Sequence, residues 1–205
     1  MTQQTHVPSR RTVLAGALGV SALGGVALSA DSATAALGDP AIPSDPDVGF
    51  FLSIPGVAGE ATLKGFEGQI ELLTWAWGVD ATFSTGSGGG GGSGKATPRE
   101  VIALAESGIQ SPPLLLDTNT GRHRQSALIS CVRSLKKPFT FMTLEFEEVQ
   151  LSSYAVTPDP TNGHPLDLIH LVFTRVTYTV IPQRPDGSAG TPVSTSFDYG
   201  RNTGS

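Results

Sequence analysis

The residues best suited to chemistry are His123, His164, His170, Cys131 and the acids Glu145, Glu147 and Glu148. Serine hydrolysis needs a serine, a histidine and a carboxylate brought together. Serines are plentiful, but no G-x-S-x-G elbow occurs. Gly187-Ser188-Ala189-Gly190 comes near it, yet its first glycine directly precedes the serine, and the segment reads as a hairpin loop. Metal binding needs His and carboxylate ligands at matched spacing. His164 and Asp167 are three apart beside prolines, a weak signal. The histidines are therefore expected to be surface or structural residues. Glu145 and Glu147 fall on one face of a strand, which ordinary solvation explains. Cys131 has the parity of Ala127 and Ile129 and reads as a small buried hydrophobe without an activating partner.

The glycine-rich stretch Thr85–Lys95 contains a near miss. Gly89, Gly94 and Lys95 fit G-x-x-x-x-G-K, but Ala96 stands where Ser or Thr must hold magnesium. No parallel-sheet alternation follows it. The stretch is expected to be an exposed, mobile loop that does not bind nucleotide.

The elements that must position these residues are short. The chain has 205 residues, which allows one domain and a tail at ~100–200 residues per domain. Hydrophobic residues reach 39%, enough for a core, while 25 glycines and 15 prolines favour sharp turns over long helices. A net charge of −5 disfavours nucleic acid as a partner. A single cysteine excludes an intrachain disulfide framework and a multi-cysteine zinc site. No cofactor is implied.

Residues 1–35 read as a leader. Ser9-Arg10-Arg11-Thr12-Val13-Leu14 is a twin-arginine pattern, with Arg10 and Arg11 as the recognised pair. It opens a charge-free run from Val13 to Ala30 that four glycines keep only mildly apolar. Ala33-Thr34-Ala35 offers small residues for cleavage between Ala35 and Ala36. The mature protein is thus expected outside the cytoplasm, exported folded by the Tat route, without stable membrane insertion after cleavage. Residues 36–47, with three prolines and three aspartates, read as an extended linker.

From Val48 the pattern is mainly β. Val48–Ile54 is an apolar run closed by Pro55-Gly56. Gln69–Ala81 puts Leu73, Trp75, Trp77 and Val79 on one face and Ile70, Leu72 and Ala76 on the other, a strand covered on both sides. The two tryptophans are expected in the core. Thr97-Pro98-Arg99-Glu100 has helix-start chemistry, and Ser111-Pro112-Pro113 opens a second short helix stopped by Gly121. Pro138–Gln150 alternates, with Met142, Leu144 and Phe146 inward. Leu166–Ile181 shifts phase near Thr174–Arg175, which predicts a bulge. Val193–Tyr199 closes the count at about seven strands, a small barrel or sandwich.

An ordered set of segments resembles the Hcp family, the haemolysin-coregulated tube proteins of type VI secretion systems. Val48–Glu60 is similar to its opening strand, and Ile70–Gly78 to its second, followed by the glycine-rich loop. Ser111–Leu116 and Thr120–His123 match the helix and its exit. Leu144–Val149 and Phe173–Val176 match later strands, and Pro182–Gly190 the closing hairpin region. The resemblance runs from Val48 to about Asn202 and defines the domain 48–202. It implies a β-barrel of two packed antiparallel sheets with one flanking helix, and overrides the helix reading near Arg99–Glu106 in favour of a strand. It further implies no catalytic residues, homo-hexameric rings that stack into tubes and, in some members, sheltering of secreted effectors. The leader departs from the family: an exported subunit does not directly join a cytoplasmic sheath and spike. The expected function is a structural ring-forming subunit. A monomeric secreted binding module and an enzyme on the same barrel are the competing readings, separable by molecular mass and by any activity mapping to His123, His164 or Cys131.

Overall fold

A computed structural model describes residues 47–83, 93–133 and 137–205. Arg10, Arg11, the Ala35–Ala36 junction, residues 36–46 of the linker and the glycine run 84–92 lie outside the described residues.

The described elements are β1 (Val48–Ser53), β2 (Ile70–Ala76), β3 (Val79–Phe83), β4 (Ser93–Pro98), β5 (Val101–Glu106), α1 (Ser111–Thr120), β6 (His123–Arg133), β7 (Phe139–Pro158), β8 (Pro165–Val172), β9 (Arg175–Val180), β10 (Val193–Asp198) and β11 (Thr203–Gly204). Strands pair in the order β7-β6-β1-β2-β5-β8, and β8 pairs back onto β7, closing an antiparallel barrel. Closure removes the free edges that an open sheet would expose. β9, β10 and β11 branch from the first half of β7, and β3–β4 form a separate hairpin.

Alternation explains which side chains fill the barrel. Leu144 and Phe146 of β7, Ala127, Ile129 and Cys131 of β6, Val101, Ala103 and Ala105 of β5, and Ile169 and Leu171 of β8 point inward and are buried. β1 needs both of its faces covered. Leu52 joins the main core, while Phe51 stacks on Phe66 at 4.7 Å and packs with Ala61 and Val132 outside it. This two-sided burial accounts for the unbroken apolar run of β1.

The β-barrel with one short helix agrees with the sequence reading, and local details differ. The Gln69–Ala81 segment is two strands, because β2 ends at Ala76 and β3 starts at Val79 in another sheet. A register shift between Leu72 and Thr74 changes the inward face, so Ile70 and Leu72 are buried while Trp75 and Trp77 also pack on the core. The strand that the resemblance implies at Arg99–Glu106, against the local helix-start chemistry of Thr97–Glu100, is present: Pro98 ends β4, and Val101–Glu106 pairs with both β2 and β8. The phase shift near Thr174 is a full break. β8 pairs with the far half of β7 and β9 with its near half.

β7 changes partners at Glu148, whose φ is +54°. A non-glycine residue there carries roughly 1–2 kcal/mol of left-handed strain. Glu148→Gly should therefore raise stability by about 0.5–1 kcal/mol after the entropic penalty of glycine, and Glu148→Val should lower it by about 1 kcal/mol or more. Urea unfolding of the two variants checks this; a destabilised glycine variant would show that Glu148 is not strained.

Candidate functional site

The polar interior of the described chain centres on α1. Its helix is not held by an apolar stripe: Leu114 is buried, whereas Leu115 and Leu116 are half exposed. Polar contacts fix its two ends. At the first turn the hydroxyl of Ser111 donates to Asp167 Oδ2 (2.6 Å). Ser107 (2.7 Å) and Tyr154 (2.8 Å) donate to Oδ1, and Gln110 Nε2 donates to Oδ2 (3.2 Å). Asp167 is fully buried, and these four donors match the acceptor sites of a carboxylate. Burial first, and then the Asp167 contact, pushes the Tyr154 phenol up to about 12. The phenol stays protonated and donating at neutral pH.

At the other end Gly121 takes a left-handed conformation (φ 61°) and stops the helix. Asp117, also fully buried, receives Arg124 Nε at 2.7 Å, with Arg122 Nε 3.6 Å from its other oxygen. Arg124 also donates to the Pro55 carbonyl (2.8 Å), tying the β1 turn to β6 and α1. A side chain at Gly56 would meet this guanidinium at 2.7 Å.

The residues selected from sequence are not brought together. His123 is exposed at the start of β6, and His164 is exposed between β7 and β8. His170 Nδ1 lies 2.9 Å from Glu100 Oε2. Cys131 is buried in the core, where burial pushes its thiol up to about 12 against a smaller opposing effect of Trp75. Glu147 meets Arg175 at 2.9 Å, and Arg175 continues to Asp198 at 3.3 Å. Glu147 is thus part of a surface ion network, while Glu145 is exposed. Trp75 meets Phe50 edge-on, and Trp77 does the same with Phe146 and Phe173. Among the described residues no group of three or more His, Cys, Asp or Glu side chains is arranged to hold a metal ion.

Asp117 and Arg124 carry no signal in the sequence reading, and Asp167, weighed there only as a weak metal ligand with His164, instead accepts from Ser107, Gln110, Ser111 and Tyr154 while His164 is exposed. The signal for its actual role is its place: a carboxylate inside the apolar run Leu166–Leu171 must find donors.

A family model described as type VI secretion system effector, Hcp, matches residues 51–180, more than half of the chain. The chain belongs to the Hcp family. The match contains both anchors of α1, so the polar interior lies within the family domain. Solved structures agree in fold. One titled a type six secretion system protein is 24% identical with a TM-score of 0.71, covering 77% of this chain and 99% of that one. Hcp1 from Salmonella typhimurium is 18% identical with a TM-score of 0.63, covering 78% and 99%. A type VI secretion system effector from Yersinia pestis is 21% identical with a TM-score of 0.58, covering 73% and 98%. No curated protein matches the chain.

Two outcomes follow from this Hcp domain's interior. Asp117→Ala strands the nearly buried Arg124 guanidinium and should cost about 3–5 kcal/mol, part of it recovered by adding Arg124→Met. Additive losses in the double mutant would deny the coupling. The Cys131 thiol should resist aromatic disulfide reagents at pH 8 until the chain unfolds. Its folded value lies above the ordinary thiol value of about 8.5, so its contribution is complete below that pH and is lost as pH rises toward about 12. Cys131→Ala should flatten that alkaline fall in melting temperature; an unchanged slope counts against it.

Proposed function

We propose that this Hcp-family chain is a structural, non-enzymatic subunit that closes into homo-hexameric rings outside the cytoplasm. The match over residues 51–180 carries this reading. The chemistry of the interior supports it: the buried carboxylates are occupied by helix anchors and the buried thiol is held protonated. Head-to-tail contacts that close on themselves give such rings. In this reading residues 1–35 are a Tat signal cleaved between Ala35 and Ala36, 36–47 a linker and 48–202 the ring-forming domain. Stacked tubes and sheltered effector proteins extend the same function. Export separates the subunit from a cytoplasmic sheath and spike. The leader favours one second reading, a monomeric secreted barrel that binds a partner without assembling.

Light scattering on Ala36–Ser205 separates the two readings. A mass near six subunits is expected, and a monomer at all concentrations would leave only the second. Replacing Arg10 and Arg11 together with lysine should stop export, and undiminished export would remove the Tat assignment. The precursor with its leader retained should assemble less than the mature chain at matched concentration. Equal ring content by native mass spectrometry would deny the leader any role in assembly.

A further inference from the structure

A pocket of about 380 Å³ opens where β2 and β5 approach the start of α1, and Glu60, Glu71, Glu106 and Gln110 line it. The strand register makes two of these acids neighbours. Leu72 faces Ala105, and both are buried. One step further along the two strands, Glu71 and Glu106 come opposite each other on the outer, exposed face. Like charges directly opposite each other destabilise a sheet. Glu60 is held beside them by main-chain bonds on either side of it: Gly59 N–H donates to the Gly68 carbonyl (2.8 Å) and Ala61 N–H to the Gln69 carbonyl (3.0 Å). Among the described residues none of the three carboxylates has a hydrogen bond or ion pair, and no lysine, arginine or histidine lines the pocket.

Gln110 adds a fourth acceptor from the interior, for it is only 3% exposed. Its Nε2 donates to the Glu106 carbonyl (2.6 Å) and to Asp167 Oδ2 (3.2 Å). Both of these partners are acceptors, so the amide nitrogen is fixed toward them and Oε1 turns the other way. That oxygen has no donor among the described residues. Gly108 marks where it points. A Cβ there would stand 2.9 Å from Gln110 Oε1 and would collide with Glu60 Oε2. A buried amide oxygen and a carboxylate oxygen thus meet at one glycine with no proton between them. A buried acceptor without a donor is costly, and the pocket repeats that cost on an acidic wall.

We propose that this pocket binds a small linear aliphatic diammonium ion. Its polar side chains offer it only acceptors, and an ammonium group brings three donors and no acceptor. Among the described residues no three His, Cys, Asp or Glu side chains are arranged to hold a metal ion, so the negative charge is spread more widely than one point cation can answer. Two ammonium heads on a short alkyl chain match that spread. One head meets Glu60 and Gln110 Oε1 beside Gly108, and the other meets the facing pair Glu71 and Glu106. The methylenes lie on Leu73, which the irregularity in β2 leaves 49% exposed at the pocket wall. The pocket lies within one chain and does not depend on ring formation.

The test titrates the full chain with butane-1,4-diammonium by calorimetry. One ion per chain is expected whatever the assembled mass. It should bind about tenfold more tightly than butylammonium at low salt and weaken as salt screens the exposed carboxylates. Glu60→Gln and Glu106→Gln should each lower the affinity about two- to fivefold. Glu145→Gln, on an exposed carboxylate outside the pocket, should leave it unchanged. Gly108→Ala sets its Cβ against two side-chain ends and should abolish binding. Glu106→Gln should also raise the melting temperature of the chain without diamine, because it relieves the facing pair while binding is lost. No heat with millimolar diamine, equal affinity for butylammonium, or a loss in Glu145→Gln as large as in the pocket variants would overturn the proposal. Binding of Nα-acetyl-lysine amide as tight as that of the diamine would assign the pocket to a lysine side chain of another protein and overturn it equally.

Discussion

Asp167 sits fully buried on β8, the strand that hydrogen-bonds to β5 on one side and β7 on the other to close the barrel. Among the described residues its carboxylate meets four neutral donors and no cation. A buried charge left without partners is costly, so each donor is held to its place by that cost. Ser107 and Gln110 precede α1, Ser111 opens it, and Tyr154 belongs to β7. One side chain therefore fixes the closing strand, the approach to the helix and the strand beneath it. Asp117 does the complementary work at the far end through Arg124. With Leu115 and Leu116 outward, apolar packing alone would leave the helix free to roll.

The long β7 is the second constraint. It pairs with β6 and β9 along one half and with β8 along the other. A straight strand cannot serve both walls of a small barrel, and the turn is made at Glu148, opposite the break between β8 and β9. The corner is filled by aromatic rings. Phe146 and Phe173 are 4.7 Å apart, with Trp77 and Tyr199 edge-on to Phe173 at 5.9 Å. These contacts link the β2–β3 junction, β7, the β8–β9 corner and the segment after β10, and they convert local alternation into one continuous interior.

Much of this fold was legible because strands announce themselves through alternation. Met142, Leu144 and Phe146 point inward as their spacing requires, and Gly121 stops the helix where its backbone freedom is needed. What was hidden depended on pairing between distant segments. Val101–Glu106 has the local chemistry of a helix following Pro98, but two partner strands outweigh that propensity. The break at Phe173–Thr174 looked like a bulge because periodicity registers a change of face without distinguishing its cause. The anchors were least visible. Arg124 lies seven residues from Asp117, and Tyr154 reaches Asp167 only because β7 pairs with β8. The histidines attracted attention by their chemical type, which says nothing about whether the fold makes them converge.

The closed barrel also sets the order of folding and of the proposed assembly. Every strand of the barrel finds two neighbours within one chain, and the main core is complete without a second copy. The domain can therefore be folded before it meets any partner, with no disulfide required. That property suits the proposed export of a folded subunit. It leaves surplus interactions outside the barrel, on the exposed apolar face of β9 and β10. A contact made there adds to a finished fold rather than completing an unfinished one. Its strength can then be tuned through a few exposed residues, while the buried carboxylates and the aromatic corner keep the scaffold fixed.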